Sequence, residues 1–293
     1  MLNNPTVSVC MITYLHENFI EQAINGVLMQ KGNFEIELII ANDNSPDETN
    51  IIVQNCIVNH PNGSWIKYTH HKTNLGMMPN FVWALQQCKG KYIAICEGDD
   101  FWTDSFKLQK QIDVLVNYPN LAGCFHNSEE RFWCDYSKAS TLFLENKVGR
   151  EFSFSEMAYC NITPTASVVF KAPIQKEVLT NIYKELKVGD WPLHLLNLRN
   201  GNYFYIPQVM SVRYLHTSST WGMKDQIRNV EIVLNTYSEL INSNWFNLDE
   251  VELLKEGMSK LSNHLSVKVN QKSKIIKIKN KLKIKLVSIF KKL

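Results

Sequence analysis

Apolar and polar positions along the first half of the chain alternate between two rhythms. Residues 6–12 (Thr-Val-Ser-Val-Cys-Met-Ile), 36–41, 65–69, 92–96 and 121–125 are short apolar-rich runs bounded by polar clusters, which predicts buried strands. Between them apolar residues recur at three-and-four spacing. Phe19, Ile20, Ala23, Ile24, Val27 and Leu28 predict one helix, ended by Gly32-Asn33. Ser45-Pro46-Asp47-Glu48 has the form of a capping box with proline at the first helical position, which predicts a helix from there to about residue 59. Further helices are predicted over 79–88 and 105–117, the latter with Leu108, Ile112, Leu115 and Val116 on one face.

This alternation predicts an α/β fold: an open, mostly parallel sheet with helices on both faces. In such sheets ligands bind beyond the carboxyl ends of the strands. Three polar turns fall at that edge, residues 13–17, 42–45 and 97–100. The last is the most distinctive. The run Tyr92–Cys96 breaks at Gly98 into three carboxylates within four residues, Glu97, Asp99 and Asp100. Carboxylates this close repel one another and call for a counter-charge. A hard divalent cation such as Mg2+ or Mn2+ suits oxygen ligands and can also hold substrate phosphates. The plainer alternative is an acidic turn that caps the next helix through Asp104 or Ser105.

From residue 126 the pattern is less periodic. Arg131-Phe132-Trp133 and Phe152-Ser153-Phe154 are aromatic-rich, and 161–166 reads as a loop before a strand at 167–170. Gly189-Asp190-Trp191-Pro192 opens a predicted helix over 193–199, with Asp190 where an N-cap would stand. A strand beginning near Gln208 leads to Arg213-Tyr214-Leu215-His216. Helical spacing resumes over 225–241 and 248–265. In the tail, Ile275, Ile278, Leu282, Leu286, Ile289 and Leu293 form one stripe flanked by lysines, which predicts a basic amphipathic helix.

Composition adds three limits. A 45% hydrophobic and 20% charged chain of 293 residues is ordinary for a globular protein with ample core. Cys10, Cys56, Cys88, Cys96, Cys124, Cys134 and Cys160 form no CxxC pair, which points to a reducing compartment rather than a disulfide framework or zinc site. With no apolar run approaching a bilayer span and a strand-like run from Thr6, the expected location is cytoplasmic. The net charge of +3 conceals an asymmetry: nine of the 31 basic residues lie in 272–293, which holds no acid, leaving 22 basic against 28 acidic residues elsewhere. A nucleic-acid-binding enzyme more often has a basic body, so the tail is expected to meet an anionic membrane surface, the alternative being that its apolar stripe docks onto the protein's own core or a second subunit.

Taken together, Val-Ser-Val-Cys-Met-Ile-Thr-Tyr, Ile-Ile-Ala-Asn-Asp-Asn-Ser-Pro-Asp, Asn74-Leu75-Gly76 and Glu-Gly-Asp-Asp-Phe-Trp resemble, in order and spacing, the family 2 glycosyltransferases with the GT-A fold. The likeness covers residues 5–127 closely. It continues loosely through Gly189–Pro192 to His216.

The resemblance implies a nucleotide-sugar-binding half (1–125) and an acceptor-binding half (126–224) of one GT-A domain, followed here by a helical extension (225–268) and the basic tail (269–293). It implies a transferase that moves a sugar, with inversion, from a nucleoside-diphosphate sugar, UDP-linked by expectation, to a saccharide or lipid-linked acceptor in bacterial surface polysaccharide synthesis. Thr13, Tyr14 and Glu17 would line the base and ribose pocket, and Asn42 or Asp43 would face the base. Asn74, Gly76, Gly98 and Lys72 would belong to the donor site, Lys72 meeting a phosphate. Glu97 would contact the ribose or act one step removed from the metal. Asp99, with Asp100 and His216, would hold Mn2+ or Mg2+. Asp190 would be the general base and Trp191 an acceptor-stacking ring. A nucleotidyltransferase on a similar core would carry a glycine-rich basic loop after its first strand, which Tyr14-Leu15-His16-Glu17 lacks. A catalytically inactive sugar-nucleotide-binding protein would have no use for Asp99, Asp100 and Asp190 together.

Overall fold

The computed structural model describes residues 6–133, 135, 137–172, 186–216 and 226–263. The basic tail at 269–293, Cys134 and the end of the last predicted helix lie outside the described residues.

The parallel core of the sheet runs β3 (Ile66–His70), β2 (Ile36–Asn42), β1 (Val7–Thr13), β4 (Tyr92–Ile95). The sheet then changes direction. β9 (Val169–Lys171) runs antiparallel to both β4 and β6 (Gly123–Phe132), β6 pairs in parallel with β10 (Tyr203–Leu215), and β5 (Asp100–Trp102) pairs antiparallel with β10. Short strands β7 (Thr141–Leu142) and β8 (Arg150–Phe152) add to β6 and β10. The mixed α/β fold, parallel across β3, β2, β1 and β4, is as the hydrophobic pattern predicts.

β1 and β2 are almost wholly buried because each face of the sheet is covered. On one face, α1 (Ile20–Leu28), α2 (Thr49–Asn59) and α4 (Lys107–Asn117) enclose Val7, Val9, Met11, Leu38 and Ile40. On the other, Cys10, Ile39, Ala41, Ile93 and Ile95 meet α3 (Met77–Gln87), α5 (Phe154–Met157), α6 (Asp190–Leu198), α7 (Gln226–Asn242) and α8 (248–263). Alternate residues of one strand therefore feed two cores, each buried aliphatic side chain worth about 1.5–3 kcal/mol. α1 packs so close to β5 that a Cβ on Gly26 would meet the Trp102 backbone nitrogen at 2.8 Å.

Two expected caps do not form. The Ser45 hydroxyl accepts the Leu15 N–H at 3.1 Å, and α2 begins only at Thr49, so residues 45–48 clamp the neighbouring turn instead of boxing a helix. A capping box does occur, at Ser153 and Glu156 of α5. α4 begins at Lys107 with no side-chain cap, while Asp104 Oδ1 accepts the Phe106 N–H at 2.8 Å one turn earlier. No helix among the described residues is long and apolar enough to cross a membrane.

Candidate active site

The carboxyl ends of β1, β2 and β4 open into a cleft of about 380 Å³. Strand register sets its first wall. β1 and β2 pair so that Thr13 lies beside Asn42, and the Gly98 N–H donates to Ile12 O at 3.0 Å, bringing the acidic turn against the end of β1. That approach requires glycine: a Cβ on Gly98 would stand 2.8 Å from Thr13 Oγ1 and 2.9 Å from His16 Nδ1. Asp43, only 3% exposed, accepts the N–H groups of Leu75 and Gly76 at 2.6 and 2.9 Å, while Asn74 Nδ2 donates to its carbonyl at 3.0 Å. Gly76, at φ 91°, takes a left-handed conformation that favours glycine and starts α3. One carboxylate thus ties the 74–76 loop to the end of β2 and places Asn74 and Gly76 on the cleft with it.

The acidic turn forms the floor. Asp99 Oδ2 lies 3.0 Å from His216 Nε2 and 3.8 Å from His16 Nε2. Burial raises the Asp99 carboxyl, but the charge of His16 and the hydrogen bond and charge of His216 outweigh it and hold the group at about 2. Glu97 and Asp100 behave oppositely. Burial, then the charges of Asp99, Asp100 and Asp190, push Glu97 well above the usual carboxylate range, against a smaller pull from Arg213. Burial and Asp99 push Asp100 up in the same way, again opposed by Arg213. Arg213 also pairs with Glu130 at 3.1 Å.

Across the cleft stands Asp190, the first residue of α6, with Gly189 rather than Asp190 as the N-cap. Its Oδ2 accepts from Asn161 Nδ2 at 2.9 Å and Thr165 Oγ1 at 3.0 Å, and its Oδ1 from the Trp191 N–H at 2.8 Å. One helical turn on, His194 is fully buried with neither ring nitrogen bonded, and burial pushes it down to about 4 against the pull of Asp190.

A divalent cation suits this donor set. The floor holds three carboxylates, and burial followed by mutual repulsion pushes Glu97 and Asp100 up against the smaller pull of Arg213, so a cation there would relieve the repulsion. Asp99 and His216 are the adjacent oxygen and nitrogen donors. No three His, Cys, Asp or Glu side chains among the described residues close on one point. Mg2+-type sites commonly use one or two carboxylates and complete their shell with substrate phosphate and water.

The sequence profile described as Glycosyl transferase family 2 matches residues 8–174, more than half of the chain. The chain belongs to glycosyl transferase family 2. A relative of this family-2 chain, an uncharacterized protein of Mycobacterium tuberculosis, is 32% identical over 216 residues, covering 73% of this chain and 60% of its own length. The chain thus spans well under two thirds of that relative. Among solved structures, residues 1–349 of Staphylococcus aureus TarS in complex with UDP-GlcNAc superpose with a TM-score of 0.62 at 17% identity, covering 86% of this chain and 71% of that TarS chain. The mannosyltransferase PcManGT of Pyrobaculum calidifontis, in complex with GDP-Man and Mn2+, superposes with a TM-score of 0.62 at 16% identity, covering 89% of this chain and 70% of PcManGT. The fold of this family-2 chain is the GT-A fold.

Thr13, Tyr14, Asp43, Asn74, Gly76, Glu97, Asp99, Asp100 and Asp190 all line one cleft, with Gly98 and His216 packed directly behind it. Four expected residues stand elsewhere. Trp191 is 2% exposed; its Nε1 donates to Met157 O at 2.8 Å and its ring meets Tyr237 edge-on at 4.8 Å, so it is a core residue and not a stacking platform. Glu17 Oε2 accepts the Glu48 N–H at 3.0 Å at the surface, bracing α2. Lys72 is exposed and outside the cleft. Asn42 is fully buried, its amide spent on the Ser45 N–H and Tyr68 hydroxyl, so Asp43 is the member of the pair on the cleft. Asn161, Thr165, His16 and Arg213 went unrecognised. The polar run 161–165 and the position of His16 inside the first turn were the available signals, but nothing in one sequence aims them at Asp190 or Asp99.

Proposed function

We propose that the protein is an inverting, metal-dependent glycosyltransferase, taking a sugar from a nucleoside-diphosphate sugar to a hydroxyl of a saccharide or lipid-linked acceptor in surface polysaccharide synthesis. The observation that carries this reading is that Asp190 and Asp99 line one cleft, each set by different partners. Donor-side residues Thr13, Tyr14, Asp43 and Asn74 receive the nucleoside. Asp99 and His216 are the residues that would hold Mn2+ or Mg2+, which would supply charge neutralisation for the departing diphosphate. Asp190, fixed by Asn161 and Thr165, accepts the proton of the acceptor hydroxyl as its oxygen bonds to the anomeric carbon. The bond from that carbon to the diphosphate breaks on the opposite face, which inverts the centre. The UDP-GlcNAc of TarS and the GDP-Man and Mn2+ of PcManGT support a nucleotide-sugar donor and a divalent ion, with UDP-sugars the first to try. The basic stripe at 272–293 would bring the enzyme to an anionic membrane carrying its acceptor.

The test is release of nucleoside diphosphate from a panel of UDP- and GDP-sugars, with Mn2+ and with chelator, by the wild type and Asp99→Asn. The expected outcome is turnover of one donor, lost in chelator and in Asp99→Asn. A wild type that neither binds nor turns over any donor overturns the reading.

A further inference from the structure

His16 sits in a firmly held turn at the cleft, and its ring makes no hydrogen bond among the described residues. Its turn is held to the 45–49 segment by three bonds: Leu15 N–H to Ser45 Oγ, His16 N–H to Thr49 Oγ1 and Glu17 N–H to Asp47 Oδ2, each at 3.1 Å. Its carbonyl accepts the N–H groups of Phe19 and Ile20 at 2.9 Å, so the same residue launches α1. The ring lies edge-on to Phe19 and to His216, with centroids 6.2 and 6.4 Å away. It lines the cleft with 17% of its side chain exposed.

The ring has no hydrogen-bond partner among the described residues. Nδ1 is buried and unbonded, and the turn at Gly98 closes over it so tightly that a Cβ there would be 2.9 Å away. Nε2 is 3.8 Å from Asp99 Oδ2, beyond hydrogen-bonding reach. Buried polar groups are nearly always bonded. An imidazole carries a proton on at least one nitrogen, and Nε2, beside a carboxylate and on the open side of the ring, is where an N–H is favoured. A donor held this firmly and left unbonded is prepared for an acceptor that arrives with the ligand.

We propose that His16 Nε2 donates a hydrogen bond to the diphosphate of the bound nucleotide sugar, contacting the leaving group directly beside the cation at Asp99. The proposal rests on the donor reading above and deepens it. The choice of phosphate rests on the distance to Asp99: Nε2 lies 3.8 Å from the carboxylate that would hold the cation and with it the diphosphate, in the same turn as Thr13 and Tyr14, which would receive the nucleoside. The contact forms a hydrogen bond and moves no proton.

The experiment is calorimetric binding of uridine, UMP and UDP, and of guanosine, GMP and GDP, to wild type, His16→Ala and His16→Gln, with Mn2+ and with chelator. His16→Ala is expected to weaken the diphosphate roughly 10- to 100-fold, as for loss of a hydrogen bond to a charged group, and to leave the nucleoside unchanged. The Gln variant, whose amide nitrogen can reach the Nε2 position, should recover part of the loss, and the Ala loss should persist in chelator. Equal weakening of nucleoside and diphosphate would mean that His16 only shapes the turn, and a loss confined to Mn2+ would make it a cation ligand. Either result, or unchanged diphosphate affinity, overturns the proposal. Failure of the wild type to bind any of the six ligands would instead overturn the donor reading itself.

Discussion

The two walls of the cleft are built on different plans. The wall that carries Asp43 consists of the strand-ends β1, β2 and β4, held in register by parallel pairing, with neighbouring turns clamping one another: the Asp43 carboxylate accepts the N–H groups of Leu75 and Gly76, Ser45 Oγ accepts that of Leu15, and the Gly98 N–H donates to Ile12 O. The wall that carries Asp190 has one carboxylate at a helix start, held by Asn161 and Thr165 from a loop 25 to 29 residues away. A wall made by sheet register places many groups at once. A wall made by one helix terminus places one group and depends on what reaches over to hold it. The first plan suits a large ligand recognised along its length, the second a single proton transfer.

The sharpest way to break this contrast is Asp190→Asn, which keeps shape and first-turn polarity but cannot take a proton. Transfer should fall by roughly 10²–10⁴-fold, as for loss of acid–base catalysis, with nucleoside diphosphate affinity unchanged by calorimetry. A parallel loss of donor affinity would show that the walls are not independent.

Acid should also lower the stability of the fold through His194. His194 titrates near its ordinary 6.5 when the chain is unfolded but only at about 4 when buried in α6. The unfolded state therefore binds the extra proton across that window, and stability falls as pH drops from 6.5 to 4, by up to about 3 kcal/mol. Melting temperature followed from pH 7 to 4.5 should show this decline, and His194→Gln should flatten it. An unaltered slope in the variant would assign the acid sensitivity to other groups.

The smallest effect separates a core residue from an acceptor contact. Trp191→Phe loses the bond to Met157 O and leaves that carbonyl unpaired, at about 1–3 kcal/mol of stability. The KM for acceptor, measured on the folded fraction, should not move. A raised acceptor KM at unchanged melting temperature would restore Trp191 to the acceptor site.

The sequence by itself determined the rhythm of strands and helices, the edge of the sheet where ligands belong, and the acidic turn. These follow from local periodicity and from the cost of crowding carboxylates, both carried by neighbouring residues. Similarity of motif order then determined the family. Tertiary structure alone decided which polar residues face the cleft. Asn42 and Asp43 are adjacent and chemically alike, yet pleating sends successive side chains to opposite sides, and only packing against Tyr68 and the 74–76 loop distinguishes them. Trp191 follows Asp190 directly, and helix rotation turns it from the cleft into the core. His16 and Asp99 are far apart in the chain, and their approach to 3.8 Å exists only because β1 and β4 lie side by side. Contacts of that kind have no local signature, since the free energy that fixes them is spread over the two cores on either side of the sheet.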